Sequence, residues 1–188
     1  MPNNILLNRA AKGDASAFEG IIVQYEKLIY NVAYRIMGNQ EDALDICQEV
    51  YIKIYRNLAK CASIEYIKNW VCTITHNACM DELRRRKGKT ADSYDEILES
   101  QEGRAKAEPA DGAARPEDVL LHQELSHAIA DAIKQLSDEH RILIVLRDIQ
   151  GMSYEEIADI TNNPLGTVKS RLSRARNNLK NLLAGKLD

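Results

Sequence analysis

Apolar residues recur every three to four positions along most of this chain and strict alternation is scarce, a pattern that predicts helices. Ile5 to Lys12 reads as a short first helix ended by Gly13. Asp14 can cap a second, where Ala17, Phe18, Ile21, Ile22, Tyr25, Ile29, Val32, Ala33 and Ile36 keep helical spacing until Gly38-Asn39 stops it. A third is expected from about Gln40 to Leu58, with Leu44, Cys47, Tyr51, Ile54 and Leu58 facing inward. A fourth runs from about Ser63 to Arg86 on Ile67, Trp70, Val71, Ile74, Ala78 and Leu83. It ends in Arg84-Arg85-Arg86-Lys87-Gly88, cations at the negative end of a helix dipole.

Periodicity fades after Gly88 and returns at Val119. Leu121, Leu125, Ile129 and Ile133 make Val119 to Leu136 amphipathic. Ser137 then caps a helix built on Ile142, Leu143, Val145 and Leu146, which Gly151 closes. Ser153 and Glu156 form a capping-box pattern, each able to satisfy the other's amide, with Ile157, Ala158 and Thr161 at helical spacing behind. Asn162-Asn163-Pro164 stops that helix and starts the last one, with Asn163 as N-cap and proline in the first helical position. Leu165, Val168, Leu172, Ala175, Leu179 and Leu182 give the last helix its apolar stripe.

Composition agrees with an all-helical chain. Of 188 residues 45% are hydrophobic but only 5% aromatic, so the core is aliphatic with some tyrosine. The N-terminus lacks a basic stretch followed by a long apolar run, and no segment has the roughly 18 apolar residues of a spanning helix. A cytoplasmic protein without membrane insertion is expected. Cys47, Cys61, Cys72 and Cys79 form no CxxC pair and read as buried thiols. Cys72, His76 and Cys79 share one helical face, but no fourth ligand is evident and no metal is expected. Gly-rich phosphate loops, HExxH and GxSxG are missing, so no catalytic residue, enzyme activity or cofactor is expected.

Charge divides the chain into two lobes. Residues 89–118 hold four cations against nine acids, a net of −5, with two glycines and two prolines. They cannot bury enough surface to fold alone and read as a flexible acidic linker between lobes at 1–88 and 119–188. The chain is acidic overall, with net charge −3. Its last helix nonetheless carries Lys169, Arg171, Arg174, Arg176 and Lys180 without an acid. Two short helices joined by a tight turn, the second one basic, fit a helix-turn-helix whose second helix enters the DNA major groove. On the third helix Glu41, Asp42, Asp45, Gln48 and Glu49 cluster on one side. DNA would be repelled there, which implies a protein partner.

The string GDASAFEGIIVQYEKLIYNVAYRIMGNQEDALDICQEVYIKIYRNL resembles the opening of region 2 of an extracytoplasmic-function (ECF) sigma factor of the sigma-70 family, and WVCTITHNACMDELRRRK resembles its end. LSDEHRILIVLRDIQGMSYEEIADITNNPLGTVKSRLSRARNNLKNLL resembles region 4. The resemblance implies an all-α protein of two helical domains that binds core RNA polymerase and directs promoter-specific initiation. It implies that Thr167, Lys169, Ser170, Arg171, Arg174 and Arg176 meet the −35 element, by base edges or phosphates. It assigns Lys68, Asn69, Asn77, Arg84 and Arg85 to the −10 element, with the loop Ala59 to Ser63 beside them and Trp70 mainly in the core. Asp45, Gln48 and Glu49 become the surface that docks on the β′ coiled coil, with the β flap as a second polymerase contact and an anti-sigma factor as a further expected partner. Two positions depart from the family pattern. Ile67, with Tyr66 beside it, stands where phenylalanine is usual, and Ser137 stands where proline is frequent. The competing reading is a two-domain helix-turn-helix regulator that binds DNA without core polymerase.

Overall fold

The computed structural model describes residues 2–61, 67–92 and 116–187, all of which are helix or short connection. Most of the acidic linker, the loop residues 62–63 and Tyr66 therefore lie outside the described residues. Among the described residues eight α-helices follow one another: α1 (Pro2–Ala11), α2 (Ala15–Met37), α3 (Gln40–Asn57), α4 (Ile67–Asp92), α5 (Pro116–Lys134), α6 (Asp138–Ile144), α7 (Tyr154–Thr161) and α8 (Leu165–Leu187). Among the described residues there is no strand. Helix α4 continues past Gly88, and α5 starts before Val119, so both ends of the expected linker borrow helix from the lobes.

Local chemistry sets most helix ends. Asp14 accepts from the Ala17 amide at 3.1 Å, and Asn39 accepts from the Asp42 amide at 2.9 Å, each satisfying one orphan donor of the helix it precedes. Gly38 closes α2 in a left-handed conformation, φ 86°, with its N–H on the Tyr34 carbonyl. The capping box at α7 is complete: Glu156 N–H donates to Ser153 Oγ at 3.1 Å, and Ser153 N–H donates to the Glu156 carboxylate at 2.7 Å. Two expected caps are absent. Ser137 precedes α6 but its side chain makes no capping bond; the acids Asp138 and Glu139 complement the dipole of that first turn. Asn163 turns its amide nitrogen back to the Thr161 carbonyl at 3.0 Å, and α8 begins with Val168 N–H on the Pro164 carbonyl. Asn162, left-handed at φ 51°, ends α7.

The first lobe packs α1, α3 and α4 around α2, with Ile21, Ile29, Val32 and Ile36 fully buried. On α3 the inward residues are Ala43, Ile46, Cys47, Val50 and Ile54. Leu44, expected inside, is 46% exposed, because the buried stripe runs one position away from it. In the second lobe α6 packs on α8, and α5 and α7 flank them. Val168, Leu172 and Ala175 are buried as the stripe predicts, whereas Leu125 of α5 is 42% exposed. Helix α6 widens into a π-helical turn over Val145–Ile149, where Gln150 N–H reaches the Val145 carbonyl, before Gly151 at φ 70° breaks it.

The lobes are in contact. Helix α4 packs against α7, and α2 touches α5 and α6. Arg141 ties the seam: its Nη1 donates to the Ile36 carbonyl at 2.6 Å, and its other nitrogens donate to carbonyls of Ile133, Lys134 and Leu136. These carbonyls lie at or just beyond the C-terminal ends of α2 and α5, the places where a helix presents negative charge.

Candidate nucleic-acid and polymerase interfaces

Helix α8 is amphipathic by necessity. With Val168, Leu172 and Ala175 buried, a 100° turn per residue leaves Lys169, Ser170, Arg174, Arg176 and Lys180 exposed. Thr167 and Arg171 lie half-buried at the edge of that face. Not all these cations are equally available. Arg174 is exposed and pairs with no acid among the described residues. Lys169 lies 5.8 Å from the Tyr154 ring centre. Arg171 pairs with Glu139 of α6 at 3.2 Å, and Arg176 grips Asp148 through Nε at 3.1 Å and through Nη2. Asp148 also holds the Arg176 guanidinium above its ordinary pKa. The candidate −35 residues therefore share one helix, but Arg171 and Arg176 are oriented by acids from the preceding segment. Ser170 Oγ donates to the Thr167 carbonyl at 3.1 Å.

The candidate −10 residues lie on α4. Asn69, Asn77 and Arg84 fall along one side, whereas Lys68 and Arg85, near the two ends of the helix, turn well away from it. Arg84 pairs with Asp81 at 3.2 Å and Arg85 with Glu82 at 2.6 Å, each a one-turn pair on an exposed surface. Asn77 meets His76 Nδ1 at 3.1 Å. Asn69 and Lys68 lie near Glu156 of α7, in the other lobe, and both pull on its carboxyl. The Ser153 amide beneath it, with these two, holds the Glu156 carboxyl below the usual range. Trp70 is partly buried against the core, as expected, and Ile67 is buried at the start of the helix rather than displayed.

On α3 the side away from the core carries Leu44, Asp45, Gln48, Glu49, Ile52 and Tyr55, all exposed. Glu49 pairs with Lys53 at 2.5 Å. Among the described residues Asp45 makes no ion pair, and it stands next to the exposed Leu44. Asp42, read from sequence as part of this cluster, is instead half-buried against Arg86 of α4, whose guanidinium holds its carboxyl below the ordinary range. The remaining face combines acids with bare aliphatic surface, which suits a protein partner and not DNA. Burial pushes the Cys72 and Cys79 thiols up to about 12, which keeps both protonated at neutral pH. A protonated thiol is a poor metal ligand.

Sequence reasoning missed Arg141, Glu139, Asp148 and the second task of Glu156. The first had a signal, a lone cation entering an apolar run; the others had none, because their partners lie on distant helices.

Two family models match the chain, Sigma-70 region 2 over residues 21–89 and Sigma-70, region 4 over residues 126–179. The chain thus belongs to the sigma-70 family, in its ECF branch, and is an RNA polymerase sigma factor. It is 36% identical to the ECF RNA polymerase sigma factor SigW of Bacillus subtilis (strain 168) over 180 residues, 94% of each chain. It is 31% identical to the ECF RNA polymerase sigma-E factor of Escherichia coli (strain K12) over 184 residues, 96% of this chain and 94% of that one. Among solved structures, the sigma factor RpoE from Bartonella quintana, in a co-crystal with the anti-sigma factor NepR, matches with TM-score 0.69 and 27% identity, covering 89% of this chain and 96% of that one. CnrH, solved with the cytosolic domain of CnrY, shares the fold with TM-score 0.67 at 22% identity, covering 97% of both chains. Matches to both regions disfavour a regulator that works without polymerase. Among the described residues no helix is long and apolar enough to cross a membrane.

Proposed function

We propose that this sigma factor docks on core RNA polymerase through the exposed α3 face (Leu44, Asp45, Gln48 and Glu49) and reads promoter DNA with α4 and α8. In this reading Lys169, Ser170, Arg171, Arg174 and Arg176 meet the −35 duplex, with Thr167 at the entering end of α8. Lys68, Asn69, Asn77, Arg84 and Arg85 hold the −10 strand. Exposed arginines suit phosphates and guanine edges, since a guanidinium donates in a planar fork. The protein does no covalent chemistry; it places a catalytic machine. It works in the cytoplasm, where the polymerase is, contacts the β′ coiled coil and the β flap, and is restrained by an anti-sigma protein, as the RpoE–NepR complex suggests.

The observation that supports this most is the separation of charge. The exposed side of α8 carries cations without an acid, and the exposed side of α3 carries acids beside uncovered Leu44. Each surface suits a different partner. Reversing Asp45 and Glu49 together to Lys should lower affinity for core polymerase at least ~30-fold, by replacing attraction with repulsion at a close contact. Helical circular dichroism should not change. Run-off transcription with core enzyme should give start sites only when the wild-type chain is present. Undiminished co-purification of the reversed protein would refute the docking face.

A further inference from the structure

Two of the outward cations of α8 are not free charges. Asp148 holds Arg176, accepting from its Nε at 3.1 Å and from its Nη2. This acid stands in the π-helical turn that follows α6, 28 residues earlier in the chain. Arg171 meets Glu139 through Nη1 at 3.2 Å, but the Glu139 side chain is 63% exposed, so water screens much of that pair. The Asp148 grip engages two nitrogens of a planar fork, which fixes direction as well as distance. Tyr154, at the start of α7, adds to the same pull on Arg176. By contrast Arg174 pairs with no acid among the described residues.

Place on the helix decides what Arg176 can meet. The second helix of this motif points its first turns at base edges. Arg176 comes three turns after Leu165, roughly 16 Å along the axis, so its partner is a phosphate beside the element. Phosphates carry no sequence, and an unrestrained arginine there would add the same attraction to any duplex. We propose that Asp148 is a specificity-determining residue: by pairing with Arg176 it withdraws one cation from sequence-blind DNA binding, and leaves a fixed donor edge that bonds a phosphate only where the base contacts of α8 have set the register. This rests on the assignment of α8 to the −35 duplex made above. Two effects act together. The carboxylate cancels the charge that would release counterions from any DNA, and it repels a backbone that arrives out of register. The preset guanidinium loses little further freedom on binding, so the correct duplex keeps a contact that others lack.

The test uses the full chain on core polymerase and two duplexes: a promoter selected by wild-type run-off transcription, and the same duplex with its −35 bases shuffled. Affinity for each is measured between about 50 mM and about 200 mM salt. Asp148→Asn should tighten binding to the shuffled duplex about two- to five-fold and steepen its log–log salt slope by about 0.9, the share of one phosphate contact. The intact promoter should gain less, so discrimination between the duplexes falls at least about two-fold. Asp148→Ser should act in the same way, and Asp148→Glu, which keeps the charge, should restore most of the discrimination. Asp148 is exposed, so all three should melt near wild type. On an Arg176→Ala background Asp148→Asn should change neither slope nor discrimination, because the acid acts through the arginine. The proposal is overturned if the shuffled-duplex slope stays as in wild type, if discrimination holds, or if the melt falls with no change of slope. It is equally overturned if the same changes appear without Arg176, which would make Asp148 a plain repulsive charge. The assignment beneath it fails on a different result. If shuffling the −35 bases leaves wild-type affinity unchanged, α8 does not read that element, and the role of Asp148 falls with it.

Discussion

Arg141 commits its guanidinium to backbone carbonyls, and its partner Ile36 lies 105 positions away. Residues of this kind separate what a sequence displays from what it hides. Asp14 and the Ser153–Glu156 box were legible, because each meets an amide three residues along and the geometry is fixed by the helix itself; Asn39, read only as the stop of α2, caps α3 in the same way. Ser153→Ala should therefore cost about 1 kcal/mol, read as a lower urea midpoint. A shift within error would mean that Glu156 alone caps α7. Asp42 belongs to the hidden class. Arg86 depresses its carboxyl, so the pair stabilises the fold above the unfolded carboxylate value near 3.9, and the contribution is lost as pH falls through the lower folded value. Stability measured from about pH 2 to about pH 5 should rise more steeply in the wild type than in Asp42→Asn, with parallel curves above that window. Equal acid limbs would leave the pair no net role.

Helices were the most legible unit, and their inward faces were read with two errors. Leu44 and Leu125 keep helical spacing with core residues yet stand exposed, because spacing fixes which residues share a stripe and not which stripe finds a neighbour. In α8 the stripe and the core coincide. Leu172, 1% exposed and set between α6 and the basic face, should destabilise by about 2–5 kcal/mol when cut to alanine. Leu179, only partly buried, should cost less, and thermal melts of the two variants would show the order. If Leu172→Ala melts like wild type, α8 is not anchored by its stripe. The last turns of α4 beyond Gly88 were invisible for the opposite reason: their composition reads as linker while the helix simply continues.

At the scale of the molecule, the sequence conveyed two lobes with opposite local charge but nothing of how they meet. Periodicity encodes the burial of each helix within its lobe. The seam is made instead by scattered polar contacts such as Lys87–Asp138 and Arg141 on the Ile36 carbonyl, made by side chains that look like ordinary surface residues until the lobes are in place. A chain whose tether implies reach adopts a closed form in which that reach is unused.

The π-helical turn at Val145–Ile149 holds one residue more than an α-helical turn would. Shortening the chain there by one would restore ordinary winding and swing everything downstream by about 100° around the α6 axis. Helices α7 and α8 would keep their sequence and lose their aim. The count of residues in this stretch thus fixes the azimuth of the reading head, and an insertion or deletion here is a steering error even where every contact residue survives.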